Sequence, residues 1–257
     1  MKRKFTVPGI DSRLLIKDAA RLMPDLARRR FLTGGLSLGA LTMLTGCDLV
    51  DEQSAETLLA RVSRFNDGVQ AWIFNPHKLA ATFKESDITK PFPFNAYYSE
   101  AMAPVVDGST YKLEVGGLVQ NKKSWTLPEL YALPQFTQIT RHCCVEGWSA
   151  IGSWTGASLG DFLKAVGADL TAKYVYFNCA EGYYTTIDMP TVLHPQTQMT
   201  FKYANDILPV KYGFPMKIRM PTKLGFKQPK HVGEIVVTND NMGGYWEDQG
   251  YDFWGGI

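Results

Sequence analysis

After residue 110 the apolar residues recur in short two-residue alternations separated by loops, and this pattern constrains the fold more than any other feature of the chain. Tyr111 to Val115, Phe136 to Cys144, Tyr174 to Cys179, Met216 to Met220 and Glu234 to Thr238 each read as a strand. Parallel neighbours would need crossovers of about a dozen residues or more, usually helical. The intervening sequence offers little of that kind. Thr126-Leu127-Pro128-Glu129 is a capping box that opens a short helix, and Ser158 starts another, whose Leu159, Phe162, Leu163 and Val166 form an apolar stripe closed by Gly167. The pattern predicts an α+β fold with a mixed β-sheet rather than a doubly wound one.

Upstream, the chain reads first as an address. Arg28-Arg29-Arg30-Phe31-Leu32, followed by a small and apolar stretch from Thr33 to Thr45, has the form of a twin-arginine export signal. That stretch is shorter than the roughly 20 apolar residues of a membrane-spanning helix. Leu44-Thr45-Gly46-Cys47 resembles the bacterial lipoprotein cleavage box, and Asp48 resembles the signal that keeps such lipoproteins at the inner membrane. Residues 1–46 are therefore expected to be a signal peptide, with Cys47 lipidated as the first mature residue and the protein held in the periplasm. The twin-arginine translocase moves folded proteins, often loaded with a cofactor, so the address itself hints at one. Removing 46 of 257 residues leaves 211, a size that suits one domain. Residues 47–89 read as an N-terminal helical extension. In it, Ser54 to Phe65 carries Leu58, Leu59, Val62 and Phe65 at helical spacing, with Asn66-Asp67-Gly68 as the stop. The Pro-rich Lys90-Pro91-Phe92-Pro93-Phe94 then opens a single domain over 90–257.

A formal net charge of +2 gives no global field to attract nucleic acid, which export would in any case remove from reach. Charge is instead local. Residues 211 to 230 hold Lys211, Lys217, Arg219, Lys223, Lys227 and Lys230 with no acid among them, a run suited to an anion such as a pyrophosphate. Alternation over Met216 to Met220 puts Lys217 and Arg219 on one face and the apolar residues on the other. The four cysteines, at 47, 143, 144 and 179, form no C-x-x-C pair, which excludes a zinc knuckle, and His142, His194 and His231 lack zinc spacing, so packing or orienting roles are expected for them. Adjacent cysteines on a strand point to opposite faces, so Cys143 and Cys144 do not readily share one metal or bond to each other. Cys144 shares the more polar alternation with Thr140 and His142, and Cys143 goes with Ile139; the alternation leans toward Cys144 as the functional thiolate.

Cys144-Val145-Glu146-Gly147-Trp148-Ser149 resembles the C-V-E-x-W-S stretch of the sulfite-oxidase-type molybdopterin oxidoreductases, nearest the periplasmic methionine-sulfoxide reductase catalytic subunits. The resemblance runs from about residue 90 to 240. It implies that Cys144 is the protein's ligand to molybdenum. It also implies that Asn95 and Tyr98 contact the pterin, with Ser99 standing where those reductases carry an acid. Tyr212 and Lys217 fall at cofactor-touching ends of Tyr212-Gly213-Phe214-Pro215-Met216-Lys217, and Gln228-Pro229-Lys230 matches a phosphate-contacting loop. Cys179 takes the place of a threonine near the pterin, Tyr212 that of an asparagine and Lys217 that of an arginine. These changes bear on substrate rather than on cofactor class.

The resemblance implies a molybdenum-cofactor enzyme doing two-electron oxygen-atom transfer at S- or N-oxides. Because no C-x-x-C-H haem site is present, electrons are expected to pass to or from an external protein, of a membrane haem or quinone-linked kind. Two alternatives stand beside it. Sulfite dehydrogenation would call for the alanine-glycine-asparagine-arginine type sequence that true sulfite oxidases carry after their cysteine, which is lacking here. A cofactor-free lipoprotein would bind a partner through the aromatic stretch Tyr245 to Trp254, whose rings serve equally as core or as a substrate funnel.

Overall fold

In the computed structural model, residues 52–257 are described; the signal motif and Cys47 lie outside them. The five sequence alternations become strands β1 (Lys112–Gly117), β3 (Gln135–Cys143), β5 (Tyr174–Cys179), β9 (Lys217–Arg219) and β10 (Val232–Thr238), and five strands that no alternation announced join them: β2 (Ser124–Thr126), β4 (Ser149–Ser158), β6 (Tyr184–Asp188), β7 (Gln198–Tyr203) and β8 (Asp206–Ile207). One sheet runs β2-β1-β10-β5-β6 and the other β3-β4-β7-β8, with β9 added along β7. β1 and β10 pair in parallel, Glu114 opposite Glu234, while β10 pairs with β5 antiparallel, so the first sheet is mixed. The second sheet is antiparallel throughout.

Among the described residues helices are few and, apart from α1 (Glu52–Ile73), short: α2 (Leu127–Tyr131), α3 (Leu159–Ala165) and α4 (Met189–Val192). The predicted capping box is formed at α2, where the Thr126 amide and hydroxyl both donate to Glu129 at 2.8 Å. Ser158 caps α3 by accepting from the Asp161 amide. The stripe of Leu159, Phe162, Leu163 and Val166 is fully buried, as its spacing demands. These side chains join one core cluster with Leu113 of β1, Phe177 of β5, Ile235 and Val237 of β10 and Met199 and Phe201 of β7. Each such side chain taken out of water contributes about 1.5–3 kcal/mol.

The structure differs from three local expectations. α1 does not stop at Asn66-Asp67-Gly68 but continues to Ile73. Asp67 hydrogen-bonds to the Asp252 carboxyl and Gln70 donates to the same group, which outweighs the roughly 1 kcal/mol that a helical glycine costs. The Leu58, Leu59, Val62 and Phe65 stripe is exposed rather than packed. Met216 to Met220 contributes only the three residues of β9, and its apolar and basic side chains alike are buried.

β4, rich in Ser, Gly and Ala, carried no alternation to announce it, yet pairs β3 along its whole length. Its Gly156 is required, since a Cβ there would lie 1.9 Å from the Met199 carbonyl oxygen of β7. The chain divides into two compact units, 1–62 and 63–257, and the second holds both sheets. No helix among the described residues is long and apolar enough to cross a membrane.

Candidate functional site

The tight connection from β3 to β4 positions Cys144. The Cys144 amide donates to the Trp148 carbonyl at 2.9 Å and the Gly147 amide to Cys144 at 3.2 Å, with Gly147 at φ +93°, where glycine is favoured. Cys144 thus sits one residue beyond the end of the strand and lines a cavity of about 260 Å³, of which Cys143 is not a lining residue. The Glu146 carboxylate lies 3.6 Å from the Cys144 sulfur and accepts from the Trp148 indole at 2.8 Å. Burial raises the Cys144 thiol's pKa; the Glu146 amide opposes this, and the Glu146 carboxylate adds to it. A bound cation is what would turn such a thiol into a thiolate.

The same cavity gathers Asn95, Tyr98, Ser99, Gln228, Pro229 and Lys230, the residues predicted from separate stretches of sequence. Behind them lies a buried basic wall. Arg219, fully buried, donates to Gln228, to the Thr140 hydroxyl at 3.2 Å and to the Arg141 carbonyl at 3.0 Å, and abuts His142 Nδ1 at 3.3 Å. His142 Nε2 lies 3.3 Å from the Asn95 amide nitrogen. Lys230 is held by the carbonyls of Asn95 and Lys211. Gly225 lets the chain close over this wall, because a Cβ there would lie 2.6 Å from His142 Nε2.

Burial, then mutual repulsion, pushes Lys217 and His142 well below their ordinary pKa values. Burial alone takes Arg219 down to about 9 and Lys230 to about 8. Unpaired buried charge is costly, so a wall of this kind is complete only with an anion against it. Two details locate the deficit. Lys217 makes no hydrogen bond or ion pair among the described residues, its ammonium resting 5.1 Å from the Trp154 ring, and the buried Arg219 Nε has no hydrogen-bond partner. The basic run is not all of one kind, however. Lys223 pairs with Asp188 and Lys227 with Glu247, so these two lysines serve the structure.

Three of the predicted residues stand off the cavity. Cys179 is buried in the core cluster, and burial raises its thiol well above the ordinary range. Tyr212 donates to the Phe92 carbonyl at 2.7 Å and borders a second cavity of about 420 Å³. Lys217 lies deeper in the basic wall, near enough to Lys230 that both would crowd a Cβ on Gly213. Sequence reasoning missed Glu181, Tyr183 and Phe226, which line the cavity, and left Trp246 and Tyr251 undecided between core and funnel; both rings line it. The Gly182 turn after Cys179 was the available signal for Glu181.

Among the described residues no three His, Cys, Asp or Glu side chains come together to hold a metal. A metal here would need ligands brought by another molecule, with Cys144 as one thiolate donor. A molybdenum-bearing pterin with a phosphate tail supplies sulfur ligands at one end and an anion at the other, and the residues present fit both demands.

The profile of the family described as oxidoreductase molybdopterin binding domain matches residues 100–246. A candidate protein-methionine-sulfoxide reductase subunit, YedZ1, of Azospira oryzae is 56% identical over 240 residues, covering 93% of this chain and 92% of that one. The protein-methionine-sulfoxide reductase catalytic subunit MsrP of Xanthomonas axonopodis pv. citri is 30% identical over 183 residues, covering 63% of this chain and 57% of that one. Among solved structures, the sulfane dehydrogenase SoxCD of Paracoccus pantotrophus aligns with a TM-score of 0.51 at 18% identity, over 55% of this chain and 41% of that one, a likeness of fold.

Proposed function

Because this chain belongs to the oxidoreductase molybdopterin binding domain family, and is a molybdopterin-dependent oxidoreductase of the sulfite-oxidase type, we propose that it works in the reducing direction on S- or N-oxides. The observation that carries the reading is the joining of Cys144 and Lys230, the front of the buried basic wall, in one cavity that neither could explain alone. When bound, the cofactor supplies a two-electron redox centre able to accept an oxygen atom.

In this reading the chain's own groups hold and shape the site. Cys144 ligates the metal from the β3–β4 turn, with Glu146 and Trp148 fixing its loop. Lys230, with Lys217 behind it, neutralises the phosphate end, and Gln228 orients Arg219. Asn95 and Tyr98 border the pterin, and Ser99 leaves room where an acid would stand. Tyr212 acts at one remove, by fixing the Phe92 segment that leads to Asn95. Cys179 tunes the rate from beneath the β5–β6 turn. The aromatic rings of Trp246, Tyr251 and Phe226 give the entrance an apolar lining suited to a thioether or its oxide.

The same reading takes the enzyme outside the cytoplasmic membrane. The twin-arginine motif, the Leu44-Thr45-Gly46-Cys47 box and the sulfoxide-reductase relatives support a periplasmic protein, anchored through lipid on Cys47 and fed by a membrane electron-transfer protein.

Metal analysis of protein from a molybdenum-replete host, with reduced-viologen assays on methionine sulfoxide and amine N-oxides beside a sulfite assay, tests the proposal. About one molybdenum per chain and oxide reduction are expected. Fast sulfite oxidation without oxide reduction would move the enzyme to the sulfite dehydrogenase branch.

A further inference from the structure

Oxide reduction needs protons as well as electrons, and one acid of the cavity, Glu181, keeps a buried carboxylate oxygen without a partner. Glu181 sits in the tight turn between β5 and β6, where the Cys179 amide donates to Tyr183 at 2.9 Å and the Gly182 amide to Cys179 at 3.1 Å. Gly182, at φ +80°, makes the turn, and Tyr97 donates to the Glu181 carbonyl at 2.7 Å. The backbone is thereby fixed. The carboxyl lines the cavity that also holds Cys144, yet its Oε2 is buried without a hydrogen-bond partner. The Tyr98 hydroxyl, on the same cavity, is likewise buried and unpartnered. Two unpaired polar groups in one cavity are the signature of a site that finishes its hydrogen bonding with a ligand.

We propose that Glu181 is the general acid of the reaction, giving its carboxyl proton to the oxygen that leaves sulfur or nitrogen, with the Tyr98 hydroxyl as a second donor to that oxygen. The inference rests on the oxide-reductase reading above. In the overall step the S–O bond of a sulfoxide breaks, sulfur gains two electrons from the cofactor, and the oxygen departs as water after receiving two protons. One proton comes from Glu181 and the second from solvent through the same carboxyl once it is reprotonated. The external electron donor then restores the two electrons.

The surroundings suit an acid that is neutral until used. Burial raises the Glu181 carboxyl to about 7, against the opposing pull of its own amide and of Lys230. Tyr97, Tyr98, Tyr183 and Cys179 face it as uncharged groups whose ionisation burial resists. Cys144 and Glu146 share the cavity wall. The acid must carry its proton to act, so turnover falls as pH rises through about 7.

The test uses molybdenum-loaded wild type, Glu181→Gln and Glu181→Asp, with rates expressed per molybdenum. General acids contribute about 10²–10⁴-fold, so Glu181→Gln should lose at least about 100-fold in kcat for methionine sulfoxide while molybdenum content and sulfoxide binding by calorimetry stay at wild-type values. The alkaline limb near pH 7 should vanish in Glu181→Gln and persist in Glu181→Asp. Apart from turnover, an infrared carboxylic-acid band absent from Glu181→Gln should titrate near pH 7 in wild type. A Glu181→Gln enzyme that keeps its rate and its alkaline limb, or the absence of a titrating band, overturns this inference alone. A molybdenum-loaded wild type that reduces no oxide overturns the functional reading and this inference with it.

Discussion

Replacing Lys217 by methionine should have opposite effects on the empty and the loaded protein. The side chain is buried, bears no hydrogen bond or ion pair among the described residues, and shares its surroundings with Arg219 and Lys230. What the ammonium gains from the Trp154 ring at 5.1 Å is about 0.5–2 kcal/mol. Holding an unpaired cation away from water costs several kcal/mol after relaxation. Methionine keeps the volume and removes the charge, so the cofactor-free variant should be more stable by about 1–3 kcal/mol. In a domain of this size that raises the thermal midpoint by about 2–10 °C. The loaded protein loses instead a charge-assisted contact worth about 1.5–3 kcal/mol, equivalent to roughly 10- to 150-fold weaker cofactor retention. Calorimetric unfolding of protein from a cofactor-deficient host measures the first effect, and molybdenum per chain after dialysis measures the second. A less stable empty variant with unchanged molybdenum content would refute the reasoning and reduce Lys217 to a packing residue.

Three further outcomes are expected. Cys144→Ser should abolish molybdenum-dependent turnover while Cys143→Ser largely spares it, because only Cys144 lines the cavity; equal losses in steady-state assays would count against the assignment. In cofactor-free protein, stability should rise from about pH 8 toward 10.5. Folded Lys223 and Lys230 ionise near 8 against an ordinary 10.5, so the unfolded chain binds more protons in that window, and denaturant melts across pH would reveal the slope. Cys47→Ala should block lipid labelling and processing, and lysines at Arg28 and Arg29 should trap the precursor inside the cell, as fractionation and mass spectrometry can record.

β1, β3, β5, β10 and α3 were legible because each depends on a local period that burial enforces, as Leu159, Phe162 and Leu163 illustrate, whereas β2, β6, β7 and β8 carried no such period and were not legible. β4 was illegible for the opposite reason: its Gly152, Gly156 and small neighbours are there for close approach and leave no apolar rhythm. The basic run announced an anion, but alternation gave Lys217 and Arg219 one face and the apolar residues the other without showing that β9 is a short strand enclosed on both sides. Spacing alone also could not separate Lys230 from Lys223 and Lys227, whose partners Asp188 and Glu247 lie far away in sequence. Motif resemblance found Cys144, Asn95 and Lys230 because those residues sit in distinctive neighbourhoods. Glu181 is set apart by a missing hydrogen bond, which no sequence displays.

The parallel pairing of β1 with β10 has a consequence for timing. β10 occupies the middle of its sheet, so β1 with its partner β2 and β5 with its partner β6, made early, have nothing to join the two pairs until residues 232–238 have left the ribosome. Closing so long a loop is slow relative to hairpin formation. The basic wall, which includes Lys230 just ahead of β10, is therefore completed late. In the twin-arginine reading proposed above, the N-terminal signal can be recognised long before then, and premature engagement would meet a sheet split in two. Export of a folded protein, in that reading, demands that recognition wait on β10.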